Sequence, residues 1–165
     1  MALGVSNFRT SELNQLLEFA SNMPHGSVDV VQDWFDPLHQ QRELRQLCSE
    51  HNIAFQAYST LSAPGWRRRQ PDRQMILEHP AIVKIATTHK CSSASVVLTW
   101  AIRRGVSVVP RSTNSERLAQ NLAILPSALR PPPDKYDDSG GSPALTSVEL
   151  DIIDSLDGTE GNPYG

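Results

Sequence analysis

The chain alternates between two kinds of segment. Short runs of apolar and β-branched residues are followed, four times in succession, by stretches whose apolar residues recur at helical spacing. The first run, ALGVSN, precedes SELNQLLEFASN, where Leu13, Leu16, Leu17 and Ala20 share a face and Ser11 is the expected N-cap. VDVVQDW precedes HQQRELRQLCSEH, with Leu44, Leu47 and Cys48 directed inward. NIAFQAYS is followed by a long loop, LSAPGWRRRQPDRQ, and then by two helical patterns, AIVKIATTHK and SASVVLTWAIRR. Gly105 supplies a helix stop, GVSVVP is the fourth strand, and NSERLAQNLAI is a helix with Ser115 as its expected cap. Units of about 30 residues in this order predict a parallel sheet with right-handed crossovers.

Residues 126–143 interrupt the pattern, because the prolines, glycines and charges of PSALRPPPDKYDDSGGSP read as a surface linker. Thr146 then opens an amphipathic helix, TSVELDIIDSLD, with Glu149 in the capping-box position. The expected organisation is a strand–helix body over 1–125, a linker over 126–143, and a C-terminal helix and tail over 144–165. A length of 165 residues suits one core of this kind. The formal net charge of −3 argues against a general nucleic-acid binder. No run approaches the roughly 20 apolar residues of a membrane span, and MALGVSNFRT lacks the pattern of a secretory signal. Cys48 and Cys91, both within helical patterns, read as small reduced core residues in a cytoplasmic setting.

Ligands of parallel α/β folds bind where the strands end, among loops and helix N-termini. Those positions carry Ser6 and Asn7, then Gln32, then Tyr58 and Ser59, then Arg111, Ser112 and Thr113. Ser, Asn and Gln together supply the donors and acceptors that recognise an amide, and Tyr58 offers a ring face. Arg111 and Arg117 beside a helix N-terminus suit a phosphate. Each position also has a plainer reading. Ser6 and Asn7 are candidates for helix capping, Gln32 for turn closure, Tyr58 for ordinary strand packing, and the arginines for solvated surface. Recurrence at four successive strand ends favours one extended ligand with an amide, an aromatic plane and a phosphate.

The blocks GVSNF (4–8), VVQDWFDPLHQQREL (30–44), AYSTL (57–61) and VVPRSTNSERLAQN (108–121) resemble, in order, those of the aldo-keto reductase superfamily from its fifth strand to its eighth. SASVVLTWAIRRG resembles the helix before the last strand, and the final helix is similar to the family's C-terminal one. The resemblance implies a partial (β/α)8 TIM barrel, an α/β fold of about four strand–helix units from the C-terminal half plus a C-terminal helix. It implies NADPH as cofactor and reduction of aldehydes or ketones to alcohols. By the same resemblance Ser6, Asn7 and Gln32 would hold the nicotinamide carboxamide, and Tyr58 would stack on its ring. Ser59 and Leu61 would lie along the pyrophosphate. Arg111, Ser112 and Arg117 would surround the phosphate on the adenosine ribose, with Thr113 a further cofactor-binding residue and Gln120 and Asn121 at the adenine. Arg111 stands where many members carry lysine, and Gln120 where many carry glutamate. The stretch Asp33–Asp36 departs from the commonest pattern.

The family's catalytic Asp, Tyr, Lys and His come from its first four strands, and no residue here is assigned to those roles. His25, His39, His51, His79 and His89 fall in predicted loops or helices and read as surface or structural side chains. The expectation is therefore a truncated, cofactor-binding half. It would take a nicotinamide dinucleotide as partner and a carbonyl substrate only with an N-terminal half supplied. An unclosed sheet would expose its interior, with Val28, Val30, Phe55 and Val108 as candidate inward residues, and would self-associate through its edges. The alternative is a non-catalytic nucleotide-binding or association module. IATTHKCSSASVVLTWAIRRG has helix-turn-helix spacing and WRRRQPDR is basic, yet crossover helices and a solvated loop account for both. No metal, nucleic-acid or membrane partner is expected.

Overall fold

The computed structural model describes residues 2–23, 26–62, 75–125 and 142–158. Its centre is a four-stranded sheet in the order β1-β2-β3-β4, every pairing parallel. The strands are β1 (Gly4–Ser6), β2 (Val30–Trp34), β3 (Ala54–Tyr58) and β4 (Ser107–Val108). Between and after them run α1 (Thr10–Ser21), α2 (Arg42–Glu50), α3 (Pro80–Thr88), α4 (Ser93–Arg103), α5 (Ser115–Ala123) and α6 (Ser147–Asp154). A short 3-10 turn, Ile76–Glu78, leads into α3. The fourth strand is shorter than GVSVVP suggests: Pro110 has no N–H for a ladder and biases Val109 before it. Most of the expected long loop, 63–74, most of the linker, 126–141, and the tail, 159–165, lie outside the described residues.

Register decides which side chains meet. Val31 pairs with Phe55, Asp33 with Ala57, and Ala57 with Val108, while Ser6, Gln32, Gln56 and Ser107 form one continuous row. Because successive side chains alternate, the row occupies one face, and Val5, Val31, Phe55 and Ala57 occupy the other. The second face is covered by helices: Val31, Phe55 and Ala57 belong to one core cluster with Leu13, Leu44, Ile82, Val97 and Trp100. This corrects the inward placement of Phe55 and Val108. Phe55 is buried in the helix-covered core, and Val108 packs partly buried against it. Val28, ahead of β2, is likewise buried, which leaves Val30 as the half-buried inward valine of the four. On the inner face Gly4, Ser6, Ala54 and Ser107 are small and exposed, while Gln32 and Gln56 are followed by the pair Trp34 and Tyr58 at the carboxyl end.

Helix starts follow local chemistry with two shifts. The N-cap of α1 is Arg9 rather than Ser11, because Glu12 reaches back to accept the Arg9 N–H at 2.7 Å. The cap of α5 is Asn114 rather than Ser115: its Oδ1 accepts the Arg117 N–H at 2.9 Å. Ser92 caps α4, accepting the Ser95 N–H at 3.0 Å, and Gly105 just beyond that helix has φ +75°, the left-handed conformation that a stop requires. Cys48 lies in α2 and is buried, whereas Cys91 sits in the turn between α3 and α4, not within a helix. Burial pushes both thiols up from their ordinary range, which suits packing better than nucleophilic chemistry.

The C-terminal helix is bound to the second unit by polar contacts across more than a hundred residues. Gln40 Nε2 donates to the carbonyls of Pro37, Ile153 and Asp154 at 2.9, 3.2 and 3.1 Å. Arg42 Nε donates to Asp157 Oδ2 at 2.6 Å, and the Gln40 N–H to Asp157 Oδ1 at 2.8 Å. Asp154 accepts from Trp100 Nε1 at 2.8 Å and from the Arg104 guanidinium. On the apolar side, Leu150, Ile153 and Leu156 join the main core.

Thr146 and Glu149 form the expected capping box on α6, and Glu149 Oε1 also meets His89 Nε2 at 2.8 Å. The Thr146 N–H, then its hydroxyl and His89, hold the Glu149 carboxyl below its ordinary range against an opposing effect of burial. A depressed folded pKa stabilises the protein above the unfolded value, about 4.3, and that contribution is lost as pH falls through the lower folded value. Melting temperature measured from pH 6 to pH 2 should therefore fall less steeply in Glu149→Gln than in the wild type. Parallel curves would show that this carboxylate is not involved.

Candidate functional site at the strand ends

All the sheet's strands point their carboxyl ends to one rim, since all are parallel. At the end of β1 the chain turns through Asn7 with φ +58°, a left-handed conformation that asparagine tolerates. The Asn7 N–H continues the ladder to the Gln32 carbonyl at 2.9 Å. Its side-chain amide bridges two elements: Nδ2 donates to Ser6 Oγ at 2.7 Å, and Oδ1 accepts from the Tyr58 hydroxyl at 2.6 Å. Gln32 lies opposite Ser6 in register, and its Nε2 donates to Gln56 Oε1 at 2.5 Å. Ser6, Asn7, Gln32 and Tyr58 are thus brought to one rim. Gln56 joins them without having been singled out from the sequence. Its signal was present: it lies two residues before Tyr58, and hence on the same face.

Beyond β3, Ser59 and Ser62 adopt φ +55° and +75°, and the Ser62 N–H donates to the Ser59 carbonyl at 2.9 Å. This turn faces the segment after β4 across a cavity of about 200 Å³, whose lining includes Ser59, Thr60, Leu61 and Arg111. Thr60 is buried, and among the described residues its Oγ1 has no hydrogen-bond partner, a condition that costs about 1–3 kcal/mol. Ser112 Oγ accepts the Asn114 N–H at 3.1 Å, shaping the loop that enters α5. Thr113 is exposed beside it. Arg117 lies in the first turn of α5, and Gln120 and Asn121 are half-buried further along. Gln120 Nε2 reaches Glu116 Oε1 at 3.5 Å. Arg117, Gln120 and Asn121 do not line the cavity, so the structure joins Ser59, Leu61 and Arg111 there and carries the other three on the adjacent helix. Arg111 and Arg117 are both exposed, and among the described residues no protein group pairs with either guanidinium.

A larger cavity, about 540 Å³, opens beside Asn7 and Tyr58, with Arg9, Asp33 and Gln41 in its wall. Burial pushes the Asp33 carboxyl up, opposed by the Trp34 N–H that it accepts at 2.6 Å. Asp36 is engaged structurally: it accepts from Trp34 Nε1 at 3.0 Å and from the Leu38 N–H at 2.8 Å, with His39 Nδ1 at 3.1 Å. His79 Nδ1 accepts the Ala81 N–H at 3.3 Å, capping α3, and His89 meets Glu149, so these histidines hold structure. His25 lies outside the described residues. Among the described residues no group of three His, Cys, Asp or Glu side chains is placed to hold a metal ion. No helix there is long and apolar enough to cross a membrane.

The class this defines is an open parallel α/β sheet, a partial barrel with polar side chains gathered at its carboxyl rim. Residues 1–131 match the family model described as Aldo/keto reductase family, and the chain belongs to that family. It is 33% identical over 128 residues to aldo-keto reductase family 1 member A1 of Gallus gallus, covering 78% of this chain and 38% of that protein. It is 36% identical over 123 residues to the 9,11-endoperoxide prostaglandin H2 reductase of Trypanosoma cruzi, covering 74% and 40%. An aldo/keto reductase crystal structure from Brucella melitensis superposes with a TM-score of 0.66 at 29% identity, covering 94% of this chain and 48% of that one. The chain thus spans about two-fifths of the length of these curated relatives.

Proposed function

We propose that this chain is the NADPH-binding portion of an oxidoreductase that reduces aldehydes or ketones to alcohols. The observation that carries the reading is the gathering of Ser6, Asn7, Gln32 and Tyr58 at the strand ends. The donor set fits the cofactor: side-chain amides and a hydroxyl for a carboxamide, a tyrosine ring for a plane, and guanidinium groups unpaired among the described residues for a phosphate. Bound NADPH supplies hydride to a carbonyl carbon. Ser6, Asn7 and Gln32 orient the carboxamide, and Tyr58 presents its ring to the nicotinamide. Ser59 and Leu61 flank the pyrophosphate, and Arg111, Ser112, Thr113 and Arg117 receive the ribose phosphate. Gln120 and Asn121 lie toward the adenine. A carbonyl substrate and a proton donor enter with an N-terminal half, so the chain alone binds cofactor with little turnover. A cytoplasmic location belongs to the same reading, with Cys48 and Cys91 as free thiols.

Titrating NADPH into the purified chain while following nicotinamide fluorescence should give a saturable change. NADPH should stay unoxidised when an aldehyde is added. No binding at millimolar NADPH would overturn the proposal.

Self-association is a further part of it, favoured by where apolar side chains are exposed. Leu3 adjoins β1 and Val109 follows β4, the two edge strands, while Phe19 and Leu118 are exposed on the helices α1 and α5 that follow those strands. Sedimentation should show mass rising with concentration, and a monomer throughout would refute it.

A further inference from the structure

We infer that Thr60 is a positioning residue for the diphosphate of the bound dinucleotide, its hydroxyl donating to a phosphate oxygen. This rests on the cofactor reading above and adds a residue to it. Five polar residues are buried among those described: Asp36, Gln40, Thr60, Ser95 and Thr99. Four find partners inside the protein. Asp36 and Gln40 hold the contacts already described, Ser95 Oγ meets Ser92 Oγ at 2.8 Å, and Thr99 Oγ1 meets Ser142 Oγ at 3.2 Å. Thr60, 4% exposed, is the exception, with no partner for Oγ1 among the described residues. The large majority of buried side-chain polar atoms in native proteins are paired, so a hydroxyl left unpaired among the described residues points to a ligand as its partner.

Its location says which kind. Thr60 forms part of the wall of the cavity of about 200 Å³ that Ser59, Leu61 and Arg111 also line. The turn closes on itself through the Ser62 N–H and Ser59 carbonyl, so that pair is already satisfied. What remains is a hydroxyl donor near a cation, a combination that suits an anionic oxygen and strengthens the resulting hydrogen bond. Rotation about one bond, χ1, re-aims the hydroxyl. A threonine kept only for its packing would behave differently, since valine has the same shape and would replace it without loss.

Thr60→Val and Thr60→Ser separate these cases. The measurements are the dissociation constants for NADPH and for inorganic pyrophosphate, by fluorescence and competition, and the melting temperature of the ligand-free protein. Thr60→Val should melt at or above the wild-type temperature without ligand, because an unpaired hydroxyl has been removed. The same variant should bind NADPH about tenfold more weakly, a difference of about 1.4 kcal/mol. Thr60→Ser should bind within about twofold of wild type, since it keeps the donor. A valine variant that binds as tightly as wild type, or that melts lower without ligand, overturns the role of Thr60 and leaves the cofactor reading intact. If the wild type binds no NADPH, the cofactor reading falls first and this inference with it.

Discussion

Replacing Trp100 with alanine should remove roughly 4 kcal/mol of stability, a large part of the 5–15 kcal/mol typical of a folded domain. Trp100 is 0% exposed and its ring lies parallel to Phe35, 4.9 Å between centroids at 4°. Phe35 in turn meets Phe55 edge-on at 5.9 Å and carries Arg45 over its face at 5.0 Å. Truncation opens a cavity in the middle of this aromatic group, and close-packed surroundings collapse only partly to fill it. A second loss adds to the first. Trp100 Nε1 donates to Asp154, so the variant frees one bond of the contact that holds α6 to the body. Trp100→Phe keeps a stacked six-membered ring and loses the donor together with the smaller ring of the indole, so it should cost less than alanine, at about 1–3 kcal/mol. Urea unfolding followed by circular dichroism checks both. An alanine variant within 1 kcal/mol of wild type would mean that the stack contributes little.

The double substitution Arg111→Ala with Arg117→Ala should weaken NADPH binding about a hundredfold and leave NADH binding nearly unchanged. Both guanidinium groups are exposed, and none of the described protein groups pairs with them, so their removal leaves few protein contacts to disturb. The cap of α5 is the Asn114 side chain on the Arg117 backbone N–H, which the substitution keeps. A charge-assisted hydrogen bond contributes about 1.5–3 kcal/mol, and solvent exposure places each arginine toward the lower end, roughly tenfold apiece. On the proposed reading the wild type prefers NADPH, and that preference should shrink with added salt, while the variant should show no such dependence. Parallel titrations with the two dinucleotides measure it. Equal losses for NADPH and NADH would remove these residues from phosphate recognition and point to a structural role.

Legibility in the sequence followed the range of the interaction. Thr146 with Glu149 three residues on was readable as a helix start because a capping box is closed by adjacent residues. The caps of α1 and α5 were displaced to Arg9 and Asn114 for the same local reason: Glu12 and the Asn114 side chain engage backbone N–H groups that Ser11 and Ser115 do not. Phe55 and Val108 could be placed on a strand but not on a face, since the face depends on pairing with Val31 and Ala57 elsewhere in the chain. The face of Gln56 follows from its spacing to Tyr58, but its pairing with Gln32, 24 residues away, depends on the register of two strands.

Taken alone, the sequence determined the alternation of strands and helices, the parallel sheet it entails, and the polar residues that close each strand. Periodicity and capping act over a few residues, so they are written into short stretches of chain. Only the tertiary structure decided which face of the sheet lies under the helices and that Asn7 links Ser6 to Tyr58. It also decided that Gln40 and Asp154 tie the last helix to the second unit, and that Thr60 is buried without a partner among the described residues. These depend on register and on desolvation, which come into being only when distant segments meet and exclude water.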